Sequence, residues 1–214
     1  MNFFRYLQSR WDDILELAVA HALVTITAVL IATVIGVGLG MAVYHRPRSR
    51  QLTIAVTSVF LTIPSLALFG LFINVLGIGT TPVVVALVLY SLLPIVANTI
   101  VGLREVDPAV VESAQGMGMS RAQRLVRIEL PLAWPVILTG MRVSTLLTLG
   151  IAAIGAYIQG PGLGNDIFEG LSRISSPNAL NLVLGGTLGV ILLAVLFDVA
   201  YLLLFRLTTS RGLR

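Results

Sequence analysis

The 214-residue sequence contains no cysteine, which excludes disulfides and thiolate metal ligation and leaves the redox compartment unreadable. Histidine is nearly absent too: His21 and His45 are too few for a histidine-rich zinc site, so no metal centre is expected. Lysine is missing altogether, so all 14 basic residues are arginine. A phosphate-binding P-loop places a lysine on the nucleotide phosphates and Schiff-base chemistry needs an amine, so neither is available here. Any ATP-driven step therefore needs a second polypeptide, with ATP and Mg²⁺ held there and no cofactor on this chain. Charge is scarce as well, 11% of residues against about a quarter in a soluble domain, which excludes an ordinary aqueous globule.

Hydrocarbon fills the space that charge leaves. Apolar residues make up 57% of the chain and the mean hydropathy is +0.96, values of an integral membrane protein. A helix needs about 20 predominantly apolar residues to cross the bilayer core. Five segments qualify, roughly 17–43, 54–76, 83–101, 135–157 and 180–205, and no stretch between them is long enough for a separate aqueous core. The expectation is an all-α membrane protein of about five transmembrane helices in one domain, 1–214. The first apolar run is too long for the core of a signal peptide and lacks a small-residue cleavage site, so it is read as a retained span.

The pI of about 10.1 points to topology before nucleic acid, because the arginines flank apolar spans. Arg46, Arg48, Arg50, Arg104, Arg121, Arg124, Arg127, Arg206, Arg211 and Arg214 fall on one side, with Arg142 near the same edge; only Arg5, Arg10 and Arg173 fall on the other. Positive loops stay cytoplasmic, so this bias predicts an outside N-terminus, a cytoplasmic C-terminus and a cytoplasmic 104–131 segment.

That segment, REVDPAVVESAQGMGMSRAQRLVRIELP, is a charged island punctuated by glycine. Asp107 followed by Pro108 has the pattern of an N-cap with proline at the first helical position, predicting a helix over 108–117 that Gly118 ends. Ser120 and Gln123 have capping-box spacing and predict a second helix over 121–130, stopping before Pro131. Two short helices around a glycine make a compact knob suited to a partner's groove. By themselves, Glu112, Ser113 and Ala114 are read far more readily as a solvated loop helix.

The wider spacing, Glu112 and Ala114, then Gly118, then Ile128, Leu130 and Pro131, resembles the cytoplasmic "EAA" loop of ABC-importer membrane subunits. The resemblance implies that these six residues form the loop gripped by a separate ATPase. Three further stretches, Thr62 to Gly70, Leu89 to Val96, and Gly162 to Gly170, are similar to permeases of quaternary-ammonium osmoprotectant importers, which carry glycine betaine, choline, carnitine or proline betaine. That family implies a pore of two permeases, identical or related, a cytoplasmic ATPase dimer and an extracytoplasmic substrate-binding protein, in a bacterial plasma membrane. Two departures stand out: Pro161-Gly162 replaces a glycine pair, and Gln159 sits where glycine is common.

Pro64 and Pro94 lie inside apolar spans, where proline removes a backbone hydrogen bond and kinks a helix. Broken helices are tolerated where they line a cavity, which nominates Pro64, Ser65, Tyr90, Ser91, Pro94 and Asn98 as pore lining; packing is the equal alternative. Asp198 is the one acid well inside a span, and pairing with an interfacial arginine such as Arg142 accounts for it best. Gly36-x-x-x-Gly40 and Gly185-x-x-x-Gly189 permit close helix packing, and Trp11 and Trp134 suit the two interfaces. A membrane enzyme would need a metal site or a nucleophile–base pair, and an ion-coupled carrier usually shows more spans and an internal repeat. Neither pattern is found, which favours the non-catalytic permease, with an amino acid or other small solute as the alternative cargo.

Overall fold

The computed structural model describes residues 3–209, and every regular element among them is helical. A short helix α1 (Phe3–Ser9) leads into α2 (Trp11–Val43), followed by α3 (Pro47–Thr62), α4 (Ser65–Leu76) and α5 (Thr80–Arg104). Then come α6 (Pro108–Gly116), α7 (Arg121–Arg124), a π-helical turn (Leu125–Glu129), α8 (Leu130–Ile154), a 3₁₀ turn (Gly155–Ile158), α9 (Gly164–Ser172) and α10 (Ala179–Thr208). Four helical runs are long and apolar enough to cross a membrane, and a bent pair makes a fifth if counted as one span.

α5 is the centre of the packing, with α2 on one side and α8 on the other. Small residues set both approaches. A Cβ on Gly36 would meet Ile95 at 2.8 Å, and one on Gly40 would meet Thr99 at 2.5 Å, so the glycine pair of α2 seats the i, i+4 pair Ile95 and Thr99 of α5. On the other side, Gly140 of α8 lies against Asn98 and the Pro94 carbonyl, and Gly102 of α5 lies against Ala133. The core that results runs through Val24, Ala28, Phe69, Leu87 and Ile95, all buried. The second glycine pair works at the outer layer, where Gly189 meets Leu163 and Gly185 approaches Tyr6.

The segment expected as one span over 54–76 is two helices, α3 and α4, bent by 96°. The cause lies at Ile63 and Pro64. The residue before a proline is driven out of the helical region, and Ile63 is extended at ψ 127. Pro64 then starts a new helix, its carbonyl accepting from Leu68 N at 3.0 Å. Pro94 behaves differently: α5 continues through it without interruption from Thr80 to Arg104.

The helix expected over 121–130 does not end before Pro131. Helical structure runs unbroken from Arg121 to Ile158, 38 residues. The π turn makes this possible, since Leu130 N bonds to Leu125 O and the extra residue shifts the register just ahead of the proline.

Candidate functional site

The knob over 107–130 is built by local caps. The Asp107 carboxylate accepts from Ala109 N at 2.8 Å, and Pro108 fills the first turn where no N–H is required. α6 closes with Gly118 at φ +82, its N–H bonding to Gln115 O at 2.9 Å while Met119 N reaches Ala114 O at 3.2 Å. This is the paired Schellman arrangement, which satisfies two end carbonyls through one left-handed residue. Ser120 and Gln123 then form both bonds of a capping box. Arg124 donates to Gln115 Oε1 at 2.8 Å and ties the two short helices together.

The six residues predicted for the loop divide by exposure. Glu112, Gly118 and Pro131 are exposed; Ala114 is buried on the underside, and Ile128 and Leu130 are half-buried. Leu130 packs against the buried cluster that holds Val43, Tyr44, Leu103 and Ala133, so this end of the motif anchors the knob to the helix bundle. A stronger anchor escaped the sequence reading: Glu129, only 5% exposed, accepts from the Tyr44 hydroxyl at 2.7 Å. Burial, with the hydrogen bond to Glu129 and its charge, pushes the Tyr44 phenol above its usual range. Tyr44 lies against His45 with ring centroids 3.8 Å apart, and burial, aided by Arg121, lowers the His45 pKa. Val110, Met117 and Val126 remain as exposed apolar tips on the knob.

Of the pore-lining candidates, Pro64 is exposed and Ser65 half-buried at the α3/α4 break. Tyr90 is 2% exposed and donates to Ile63 O at 2.8 Å, which pins that break. Ser91 is fully buried between α5 and α8, where its carbonyl accepts from Ser144. Pro94 and Asn98 are half-buried beside Gly140, with Asn98 Nδ2 donating to the Pro94 carbonyl at 2.8 Å. Tyr90 and Ser91 are thus occupied in the chain's own packing, and Pro64 and Ser65 sit together at the bend.

Three polar clusters lie elsewhere. At the end of the bundle opposite the knob, Arg10 donates to Tyr6 at 3.0 Å and to Asp166 at 3.3 Å. Asp166 is 2% exposed, and burial raises its pKa although Arg10 opposes the shift. Nearby, fully buried His21 bonds through Nε2 to Leu149 O at 3.0 Å, so that nitrogen carries the proton. Between α8 and α10, Arg142 Nε donates to Asp198 Oδ1 at 2.6 Å, and Thr145 and Tyr201 hydroxyls meet at 2.8 Å. Trp134 donates to Thr208 at 2.9 Å near the knob end of the same two helices.

Residues 32–210 match the family described as "Binding-protein-dependent transport system inner membrane component". The chain is 35% identical to the choline transport system permease protein OpuBB of Bacillus subtilis (strain 168), over 100% of this chain and 96% of that protein. It is 34% identical to the glycine betaine/carnitine/choline transport system permease protein OpuCB of the same organism, over 98% and 94% respectively. Among solved structures it is similar to the methionine ABC transporter MetNI in inward-facing conformations, with a TM-score of 0.80 at 20% identity, covering 92% of this chain and 96% of that one. At that identity the likeness concerns the fold.

Proposed function

This chain belongs to the family of binding-protein-dependent transport system inner membrane components, and we propose that it is the permease of an ATP-driven importer for quaternary-ammonium compatible solutes such as glycine betaine, choline or carnitine. One observation carries the substrate class: relatives matching the chain nearly end to end at 34–35% identity are permeases for those solutes. In this reading the chain is a non-catalytic multi-pass subunit of a bacterial inner membrane, with its N-terminus outside and its C-terminus in the cytoplasm. Arg211 and Arg214, two of the arginines behind that orientation, lie outside the described residues.

The 104–131 knob faces the cytoplasm and enters a groove on a partner ATPase, which holds ATP and Mg²⁺. Glu112 and Gly118 shape its docking face, Ala114 packs beneath it, and Ile128, Leu130 and Pro131 root it in α8. Its caps make it a rigid lever, and the continuous helix from Arg121 to Ile158 carries displacement toward the membrane interior. A second permease, identical or related, completes the pore, and an external binding protein delivers the solute. The pore alternates between two openings whose balance the ATPase pair biases. Lipid surrounds the assembly, and nucleic acid has no part in it.

The test is uptake of radiolabelled glycine betaine, choline and carnitine into proteoliposomes holding the whole complex. Accumulation of at least one solute that requires both ATP and the binding protein is expected. Accumulation driven by a proton gradient without the ATPase would contradict the reading, as would transport of an amino acid alone.

A further inference from the structure

We propose that the seam between α8 and α10 around Arg142 and Asp198 is a substrate-contact site for a small zwitterion. Its carboxylate would lie on the Arg142 guanidinium and its methylated ammonium against the rings of Tyr201 and Phe205. The inference rests on the osmoprotectant reading and deepens it.

Depth is the first observation. α8 and α10 run antiparallel, with Trp134 bonded to Thr208 at the knob end. Arg142 lies eight residues further along α8, about 12 Å deeper at 1.5 Å per residue, in a bilayer core about 30 Å thick. The Arg142–Asp198 pair is therefore well inside the membrane, not at its edge. Yet the two side chains are 40% and 31% exposed on this chain. Charges at such depth face protein or a water-filled cavity, not lipid. On this proposal, this flank of the seam lines the translocation path or its approach.

Chemistry is the second. A cavity of about 190 Å³ opens there, lined by Leu138, Thr139, Arg142, Tyr201, Leu202 and Phe205. That is smaller than the roughly 300–1,000 Å³ of sites for drug-sized ligands, and suits a solute of few heavy atoms. Arg142 engages Asp198 through Nε, and its two terminal amino groups have no protein partner among the described residues. They form a fork matched to a carboxylate. Asp198 aims the guanidinium and balances its charge while the site is empty.

Asp198, Tyr201 and Phe205 recur at i, i+3 and i+7, so one face of α10 presents an acid and two rings to the seam. Thr145 gives its only hydroxyl proton to the Met141 carbonyl at 2.9 Å, so the Tyr201 hydroxyl donates to Thr145 and the ring is fixed. A methylated ammonium has no N–H to donate and binds best over aromatic faces. A carboxylated solute gains Arg142 as well, whereas a purely cationic one gains nothing from it.

The test compares ATP-driven uptake of glycine betaine and choline, each below saturation, by the complete complex in proteoliposomes. Replacing Arg142→Gln together with Asp198→Asn removes the pair without leaving an orphan charge, and should lower glycine betaine uptake at least tenfold relative to choline. Arg142→Lys keeps the charge and loses the fork, so its ratio should fall between; it decides alone if the double variant does not assemble. Phe205→Leu should weaken both solutes together. A betaine-to-choline ratio within twofold of wild type in the Arg142 variants would assign the pair to subunit packing and overturn the site. A wild-type complex that accumulates neither solute overturns the substrate reading and this site with it.

Discussion

Gly118 is held at φ +82 with nothing within 4 Å of where a Cβ would sit, so backbone conformation alone requires glycine there. A β-branched residue at that φ costs about 1–2 kcal/mol, too little to unfold the permease but enough to redraw the turn between α6 and α7. Gly118→Val should therefore leave membrane insertion intact and cut uptake at least tenfold, while Gly118→Asn, which tolerates the left-handed region, retains most of it. Western quantification alongside uptake separates the two effects, and normal transport by the valine variant would remove Gly118 from coupling. The capping residues Asp107, Pro108, Ser120 and Gln123 were readable because their bonds span two or three residues. Arg10 with Asp166 and His21 with Leu149 were not, since their partners lie 156 and 128 residues away. Gln159 falls between these cases: the sequence marks it as standing where glycine is common, and only the backbone shows why, at φ +61.

Proline acts on each element according to what satisfies the carbonyl groups around it. At Pro64 the chain leaves the helix and turns through 96°, and the freed Ile63 carbonyl is taken by Tyr90. Tyr90→Phe strands that carbonyl at a cost of about 1 kcal/mol, so the expected outcome is a fall of about 2–4 °C in Tm in detergent with uptake reduced several-fold. An unchanged Tm would mean that water already serves Ile63 and that Tyr90 does not hold the break. At Pro94 and Pro131 the helices persist. The apolar runs of about 20 residues are helical in the structure, but run length does not report hydrogen-bond register. A π turn over Leu125–Glu129 and a proline tolerated within α5 therefore leave no trace in it.

Among the described residues, polar clusters mark the two ends of an apolar bundle, and the Arg142–Asp198 ion pair lies between them. The knob, Tyr44–Glu129 and Trp134–Thr208 occupy one end, and Arg10–Asp166 with α9 the other. Arg142 pairs with Asp198, the partner the sequence nominated for that acid, and leaving it out of the count makes the arginine asymmetry ten against three without changing its sign. The central claim is that the knob lies in the cytoplasm and receives the ATPase. The absence of cysteine makes single-cysteine labelling direct. Ala109→Cys on α6 and Ser172→Cys at the end of α9 both place a thiol at an exposed position. With an impermeant maleimide, position 172 should label on intact cells and position 109 only in inside-out vesicles, where adding the ATPase should protect it. Labelling of position 109 on intact cells, or its full reactivity in the assembled complex, would contradict the account.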